Sequence, residues 1–232
     1  MIFIHINEKL SNLIINNMFN SIFPKIHKEG YKFLAISIIA TFLILLISKF
    51  LGVIFILISI WVYYFFRDPE RYSINNDKYL VSPADGLVSN IAEVSGPIEL
   101  GLENKSYTKV SIFMNVFNCH VNRVPTSATV EEIFYKPGKF LNASLDKASE
   151  ENERNYYKIK TVDGNEIIIV QIAGLIARRI VCEVKKDQNL KQGERIGMIR
   201  FGSRVDIYFN NKKLLAKVGQ NVVAGESLIA VE

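Results

Sequence analysis

Residues 33–66 form an apolar tract in which Lys49 is the single charged side chain. No feature of the chain constrains its fold more. As one straight helix the tract would run about 50 Å at 1.5 Å per residue. A bilayer's hydrocarbon core is only ~30 Å thick. One upright span therefore fits poorly. The break at Ser48-Lys49, with Gly52 close behind, predicts two short helices joined by a turn over 48–52. Such a hairpin crosses a membrane twice or dips in from one side. Lys25, Lys28 and Lys32 precede the tract, and Arg67 and Arg71 follow it. The positive-inside rule then puts both ends in the cytoplasm. Trp61, Tyr63 and Tyr64 near the exit suit a membrane interface. A cleaved signal peptide fits less well, because the tract starts late and no small-residue cleavage site follows. The bland alternative is a buried hairpin in a soluble protein, against which the near absence of charge argues.

Residues 1–32 read as an amphipathic lead. Leu13, Ile14, Ile15, Met18, Phe19, Ile22 and Phe23 supply an apolar side, and Pro24 ends any helix. Residues 1–80 hold 8 Lys/Arg against 5 Asp/Glu, and residues 81–232 hold 20 against 18. The basic excess thus sits beside the apolar tract, where it favours anionic headgroups. The rest is nearly balanced and lacks the basic face of a nucleic-acid binder. Cys119 and Cys182 stand in no metal-ligand spacing and read as small buried thiols. With His5 and His27 in the N-terminal region, His120 is the one histidine beyond it, so no metal site is expected.

Pro69 marks a boundary, and residues 67–232 read as one further domain. Its pattern is short alternating runs punctuated by Gly and Pro. Strands are expected at 110–116, 158–162, 166–173, 178–184, 204–209 and 213–218. Residues 139–155 are polar and loop-like. The expected fold class is mainly β (α+β): a compact sandwich- or barrel-like domain of short strands, preceded by the hydrophobic helical hairpin. A weak internal echo supports this. Gly193-Glu194-Arg195-Ile196-Gly197 and Gly225-Glu226-Ser227-Leu228-Ile229 share a rhythm. Ser82-Pro83-Ala84-Asp85-Gly86-Leu87-Val88 and the stretch 219–226 are similar to lipoyl- or biotinyl-type barrel sandwiches. The echo speaks of architecture, not of chemistry.

Three segments carry chemistry. They are Val81-Ser82-Pro83-Ala84-Asp85-Gly86, then Phe113-Met114-Asn115-Val116-Phe117-Asn118-Cys119-His120-Val121-Asn122-Arg123-Val124-Pro125, then Gly197-Met198-Ile199-Arg200-Phe201-Gly202-Ser203-Arg204-Val205-Asp206. Together and in this order they resemble the short-type phosphatidylserine decarboxylase proenzymes. Lys136-Pro137-Gly138-Lys139-Phe140-Leu141-Asn142-Ala143, Glu151-Asn152-Glu153-Arg154-Asn155 and Ala173-Gly174-Leu175-Ile176-Ala177-Arg178-Arg179-Ile180 resemble the family as well. The likeness spans roughly residues 60–232.

The resemblance implies self-cleavage between Gly202 and Ser203. Attack by the Ser203 hydroxyl on the preceding carbonyl turns an amide into an ester, and Gly202 leaves that approach unblocked. Loss of the Ser203 Cα proton expels the ester, and hydrolysis leaves a pyruvoyl group and ammonia. A large chain, 1–202, and a small chain, 203–232, would result. The pyruvoyl cofactor would form a Schiff base with the serine headgroup and accept the electrons released with CO₂. His120 is the candidate proton carrier, its ordinary pKa near 6.5 suiting exchange at neutrality. Asp85 could orient it, as in a triad. Longer family members carry a second histidine where Arg123 stands here. Which proton transfer His120 serves is thus left open. Glu153 and Arg178 are candidate neighbours. Taken singly, Gly202-Ser203 reads as a turn, His120 as a satisfied buried histidine and Asp85-Gly86 as a turn.

The implied activity is conversion of phosphatidylserine to phosphatidylethanolamine, a step of phospholipid biosynthesis. Its implied place is the cytoplasmic side of a bacterial cell membrane, with phosphatidylserine in the membrane as partner and no nucleic acid. An archaetidylserine-type decarboxylase shares the headgroup chemistry. From another class, a membrane-tethered lipoyl-like adaptor would carry its modified lysine at Lys212 or Lys213. The sequence is compatible with a homo-oligomer.

Overall fold

The computed structural model describes residues 23–141, 151–174, 179–200 and 203–232. The 1–22 part of the expected lead lies outside them. The chain divides into two compact units, 1–70 and 71–232.

In the first unit, α1 (Gly30–Ile47) and α2 (Lys49–Phe65) pack as a hairpin. The turn is tighter than the expected 48–52, because Ser48 alone separates the helices. Its extended backbone breaks α1, and its hydroxyl accepts from Leu51 N at 3.4 Å, capping α2. Gly52 lies inside α2, where a Cβ would collide with Leu45. Thr41 Oγ1 and Ser59 Oγ, 2.9 Å apart, join the helices through their apolar faces. Tyr63 donates to Pro24 O at 2.8 Å and ties the entry of the hairpin to its exit. The α1 helix is long and apolar enough to cross a membrane by length and composition.

The second unit carries fourteen strands among the described residues. In order they are β1 (Tyr79–Val81), β2 (Gly86–Ser95), β3 (Ser106–Met114), β4 (Val121–Arg123), β5 (Ala128–Lys136), β6 (Arg154–Thr161) and β7 (Glu166–Ala173). There follow β8 (Ile180–Cys182), β9 (Asn189–Leu190), β10 (Arg195–Ile199), β11 (Ser203–Phe209), β12 (Lys213–Leu214), β13 (Asn221–Val222) and β14 (Leu228–Val231). One eight-stranded sheet runs β13-β2-β3-β11-β7-β6-β5-β9, and two three-stranded sheets run β1-β14-β12 and β4-β10-β8. Every pairing between these strands is antiparallel. The fold is mainly β with an N-terminal helical pair.

Period-two alternation sorts the side chains of the large sheet. Met114, Tyr157, Ile159, Ile169, Ala173, Val205, Ile207 and Phe209 face a core shared with Leu80, Ile196, Ile199 and Ile229 of the small sheets. Each large side chain buried there contributes about 1.5–3 kcal/mol. Tyr156, Ile168, Val170 and Ile172 form a second cluster with Leu102 and Tyr107 on the opposite face.

The internal echo has a structural counterpart. Val81 N donates to Pro125 O and Arg123 N to Pro83 O, each at 2.9 Å. Gly225 N donates to Ser82 O at 2.8 Å, and Gly193 N to Val124 O at 2.9 Å. The two halves exchange matching bonds, so 81–83 and 123–125 play equivalent parts. Gly193 and Gly225 sit at φ 82° and 78°, the left-handed region that glycine occupies at no steric cost.

Of the two thiols, Cys119 is buried but Cys182 is exposed, on the edge strand β8. The 139–155 loop is shorter than expected at its far end, since β6 begins at Arg154. Only 213–214 of the expected 213–218 strand is extended and paired.

On the surface, Glu166 bonds Lys105 at 2.7 Å and Lys158 at 3.0 Å. These lysines outweigh partial burial and hold its carboxyl at about 2, below the ordinary 4.5. A depressed carboxyl stabilises the fold fully above its unfolded pKa and loses that contribution as pH falls toward the folded value. Glu166→Gln should therefore cost on the order of 1–3 kcal/mol at pH 7, solvent screening included. The difference should shrink between pH 4.5 and 2. Thermal unfolding of the full chain in detergent at pH 7 and pH 3 checks both parts.

Candidate active site

Ser203 opens β11, where its cross-strand partners are Met114 on β3 and Ala173 on β7. The adjacent row runs Leu87, Phe113, Arg204, Ile172, Arg154. Ser203 therefore stands in the terminal row at one end of the sheet. The segments leaving and entering that end carry the other candidates. Asp85 lies two residues before Leu87. His120 lies six residues after Met114, and its carbonyl accepts from Ile199 N at 3.3 Å, four residues before Ser203. The register thus puts Ser203 and the approach to β2, which carries Asp85, at the same end, where the segment bearing His120 also leaves β3.

Ser203 is fully buried, on the core face with Val205 and Ile207. Its Oγ has no hydrogen-bond partner among the described residues. Leaving a buried hydroxyl unsatisfied costs about 1–3 kcal/mol, and such an atom asks for an explanation. Gly202, the other half of the candidate bond, lies outside the described residues, as does Arg178.

His120 is fully buried as well. Its Nδ1 lies 2.9 Å from Asn118 O. A proton on Nδ1 donates to that carbonyl and leaves the lone pair on Nε2, which makes Nε2 the basic nitrogen.

Asp85 Oδ1 accepts from Ala224 N at 2.8 Å, and Oδ2 meets Arg71 Nη2 at 2.7 Å. Arg71 also approaches Glu226 at 3.8 Å. These contacts bind the approach to β2 to the 224–226 turn. Arg123 is buried and donates through Nη1 to Gly193 O at 2.8 Å. Its guanidinium thus pins a turn. Glu153 O accepts from Ala173 N at 3.0 Å and its Oε1 from Ile180 N at 3.2 Å, next to Ser203's partner strand.

The sequence reading missed a buried polar network on the core face beside Ser203. Gln171 Nε2 donates to Asn122 Oδ1 at 2.8 Å, and Tyr157 donates to Gln171 Oε1 at 2.7 Å. Asn152, also fully buried, donates to Ala173 O at 2.7 Å. The available signal was Gln171 itself, a polar residue on the inward phase of Ile167-Ile168-Ile169-Val170-Gln171-Ile172.

Two surface pockets lie away from Ser203. One of about 540 Å³ sits on the opposite face of the sheet, against Glu99, Lys136, Arg154, Tyr156 and Asp206. Burial would raise the Glu99 carboxyl, but Lys136 and Arg154 hold it below its usual range. The other, of about 560 Å³, lies against Arg71, Arg123 and Gly193. Neither reaches the Ser203 hydroxyl. Lys212, a candidate arm of a lipoyl-like adaptor, has a side chain only 2% exposed, 3.5 Å from Glu232. That geometry suits no swinging arm.

The family model for phosphatidylserine decarboxylase matches residues 58–230. The chain belongs to this family. A protein of Pelagibacter ubique named phosphatidylserine decarboxylase proenzyme is 68% identical over 213 residues, covering 92% of this chain and 99% of that relative. Relatives of the same name from Cereibacter sphaeroides and Rickettsia typhi are 50% and 49% identical. They cover 92% and 91% of this chain, and 93% and 92% of their own lengths. Membership makes the chain an enzyme, a carboxy-lyase.

Proposed function

We propose that the chain is a phosphatidylserine decarboxylase proenzyme that cuts itself between Gly202 and Ser203. The mature enzyme then converts phosphatidylserine to phosphatidylethanolamine at the cytoplasmic side of the cell membrane. The observation that carries this reading is the buried Ser203 Oγ, without a hydrogen-bond partner among the described residues, at the sheet end where the segment bearing His120 leaves β3. A hydroxyl held away from water and from competing donors is free to act as a nucleophile.

The processing step uses the chain's own atoms. Ser203 Oγ gives up its proton and bonds to the Gly202 carbonyl carbon. The Gly202–Ser203 C–N bond breaks, and the nitrogen takes a proton. Removal of the Ser203 Cα proton expels the Gly202 carboxylate. Water then replaces nitrogen at the former Cα, and ammonia leaves. His120 is the candidate base, through Nε2. The 203–232 chain stays in place after the cut, because β11 is hydrogen-bonded to β3 on one edge and β7 on the other.

The site fits a pyruvoyl group at position 203. The residue there is already enclosed, and Met114 and Ala173 flank it. Such a group supplies an electrophilic carbonyl that can accept the electron pair released with CO₂. Around it the chain's tasks are to exclude water, to hold the reacting end in register, and to return a proton to the substrate carbon through His120.

Vesicles whose phosphatidylserine carries a labelled serine carboxyl test the activity. Labelled CO₂ and phosphatidylethanolamine should appear in equal amounts. Processed protein that releases neither would refute the reading. Archaetidylserine vesicles distinguish the related lipid class.

The hairpin is the proposed anchor. A chain lacking residues 1–66 should still cleave itself, because the candidate groups all lie in the 71–232 unit. Its activity on bilayer substrate should fall about tenfold or more, as the site is no longer held at the interface. Flotation with vesicles provides the check. Unchanged membrane partitioning of the truncated chain would show that the anchor lies elsewhere.

A further inference from the structure

We infer that the buried Asn122–Gln171 amide pair positions His120 for the cleavage at Ser203, which makes Gln171 and Asn122 positioning residues of the processing reaction. The inference rests on the proposed roles of Ser203 and His120 and adds to them. Gln171, Asn122 and Tyr157 are at most 1% exposed. Gln171 lies on β7, paired with Val205, two residues before Ala173, the backbone partner of Ser203. Asn122 lies on β4, two residues after His120. The Gln171 Nε2 to Asn122 Oδ1 bond, 2.8 Å, ties β4, which His120 immediately precedes, to the strand beside Ser203.

The network has a single direction. Tyr157 OH lies 2.7 Å from Gln171 Oε1 and 3.2 Å from Ile196 O. Gln171 Oε1 faces Tyr157 and accepts from its hydroxyl and, at 3.5 Å, from Asn155 Nδ2. Burial, with the Cys182 thiol beside it, pushes the Tyr157 hydroxyl well above its usual range and keeps it protonated. With its oxygen facing Tyr157, the Gln171 amide must present nitrogen to Asn122. Asn122 then presents its own nitrogen to the Met114 thioether, 3.7 Å away. Met114 is the other backbone partner of Ser203. Each amide has one orientation in this network, and the chain ends against Met114, one of the two backbone partners of the serine. Apolar side chains could fill the same space at lower desolvation cost, but they would not fix a distance or a direction.

The test separates positioning from plain stability. The full chain is made by cell-free translation with vesicles present. Self-cleavage is followed by pulse-chase, and the unfolding temperature is measured for each variant in a Ser203→Ala background. Ile169→Val, Ile159→Val and Val205→Ala, apolar substitutions in the same core, define how cleavage rate tracks unfolding temperature. Gln171→Met and the double variant Asn122→Leu/Gln171→Met are then placed on that relation. Both should cleave about 10- to 100-fold more slowly than an apolar variant of equal unfolding temperature. The double variant should slow cleavage even where its unfolding temperature returns to that of the unsubstituted chain. Rates that fall on the apolar relation would overturn the positioning role. A parent chain that never cleaves would instead overturn the reading of Ser203, so the two failures are distinguishable.

Discussion

Ser203→Ala is expected to remain a single 232-residue chain and to release no CO₂ from phosphatidylserine. The loss should be complete rather than partial, because the substitution removes the atom that attacks, and without the ester there is no leaving group to open the way to the pyruvoyl carbonyl. The fold should survive. Ala fits the space of Ser, and the deleted oxygen has no hydrogen-bond partner among the described residues. Removing an unsatisfied buried hydroxyl relieves a cost of about 1–3 kcal/mol, so the unfolding temperature should hold or rise. A denaturing gel reads cleavage, calorimetry reads stability, and trapped CO₂ reads turnover. A Ser203→Ala chain that still splits into two fragments would move the nucleophile elsewhere.

His120→Ala carries the second large effect. Processing needs a base for the Ser203 hydroxyl and Cα protons. Turnover needs an acid for the substrate carbon. His120 is the one histidine of the 71–232 unit. Arg123 cannot substitute, since a guanidinium stays protonated and this one is held by Gly193 O. General acid–base groups typically supply about 10²–10⁴-fold, so processing, turnover or both should fall by that order. Pulse-chase follows the first, and CO₂ release from enzyme matured before inactivation of the histidine follows the second. Near-normal rates in both would make His120 structural and send the search to the carboxylates. Asp85→Asn should act mainly on processing. Its bond to Ala224 N and its pairing with Arg71 hold the turn at 224–226 against the approach to β2.

Much of this was legible in the residues, for identifiable reasons. The hairpin was readable because apolar length against bilayer thickness leaves few solutions. Strand β7 was readable to the residue, since Glu166–Ala173 is bounded by Gly164 and Gly174 and rich in Ile and Val. Strand β12 was misjudged, because Leu214-Leu215-Ala216 has strand composition while the ladder with β14 covers only 213–214, and Leu215 N and Ala216 N both converge on the single carbonyl of Ile229. Pairing is decided by tertiary contact, not by local composition. The candidate residues Ser203, His120 and Asp85 came from motif likeness alone, and the bonds of Asp85 to Ala224 N and Arg71 were no part of that reading. Asp85's engagement with Arg71 was not readable, because it joins residues whose proximity is set by the return of the chain through 224–226. The Asn122–Gln171 bond was hidden for the same reason. Its members lie 49 positions apart, and nothing local marks either as half of a pair.

Intact mass of the purified protein, measured under denaturing conditions, tests the central claim most directly. The account predicts two species, residues 1–202 and residues 203–232. The smaller should be resistant to amine-directed sequencing and lighter than a serine-terminated peptide by one ammonia. A single full-length chain that decarboxylates phosphatidylserine, or a small fragment beginning with an intact serine, would contradict it.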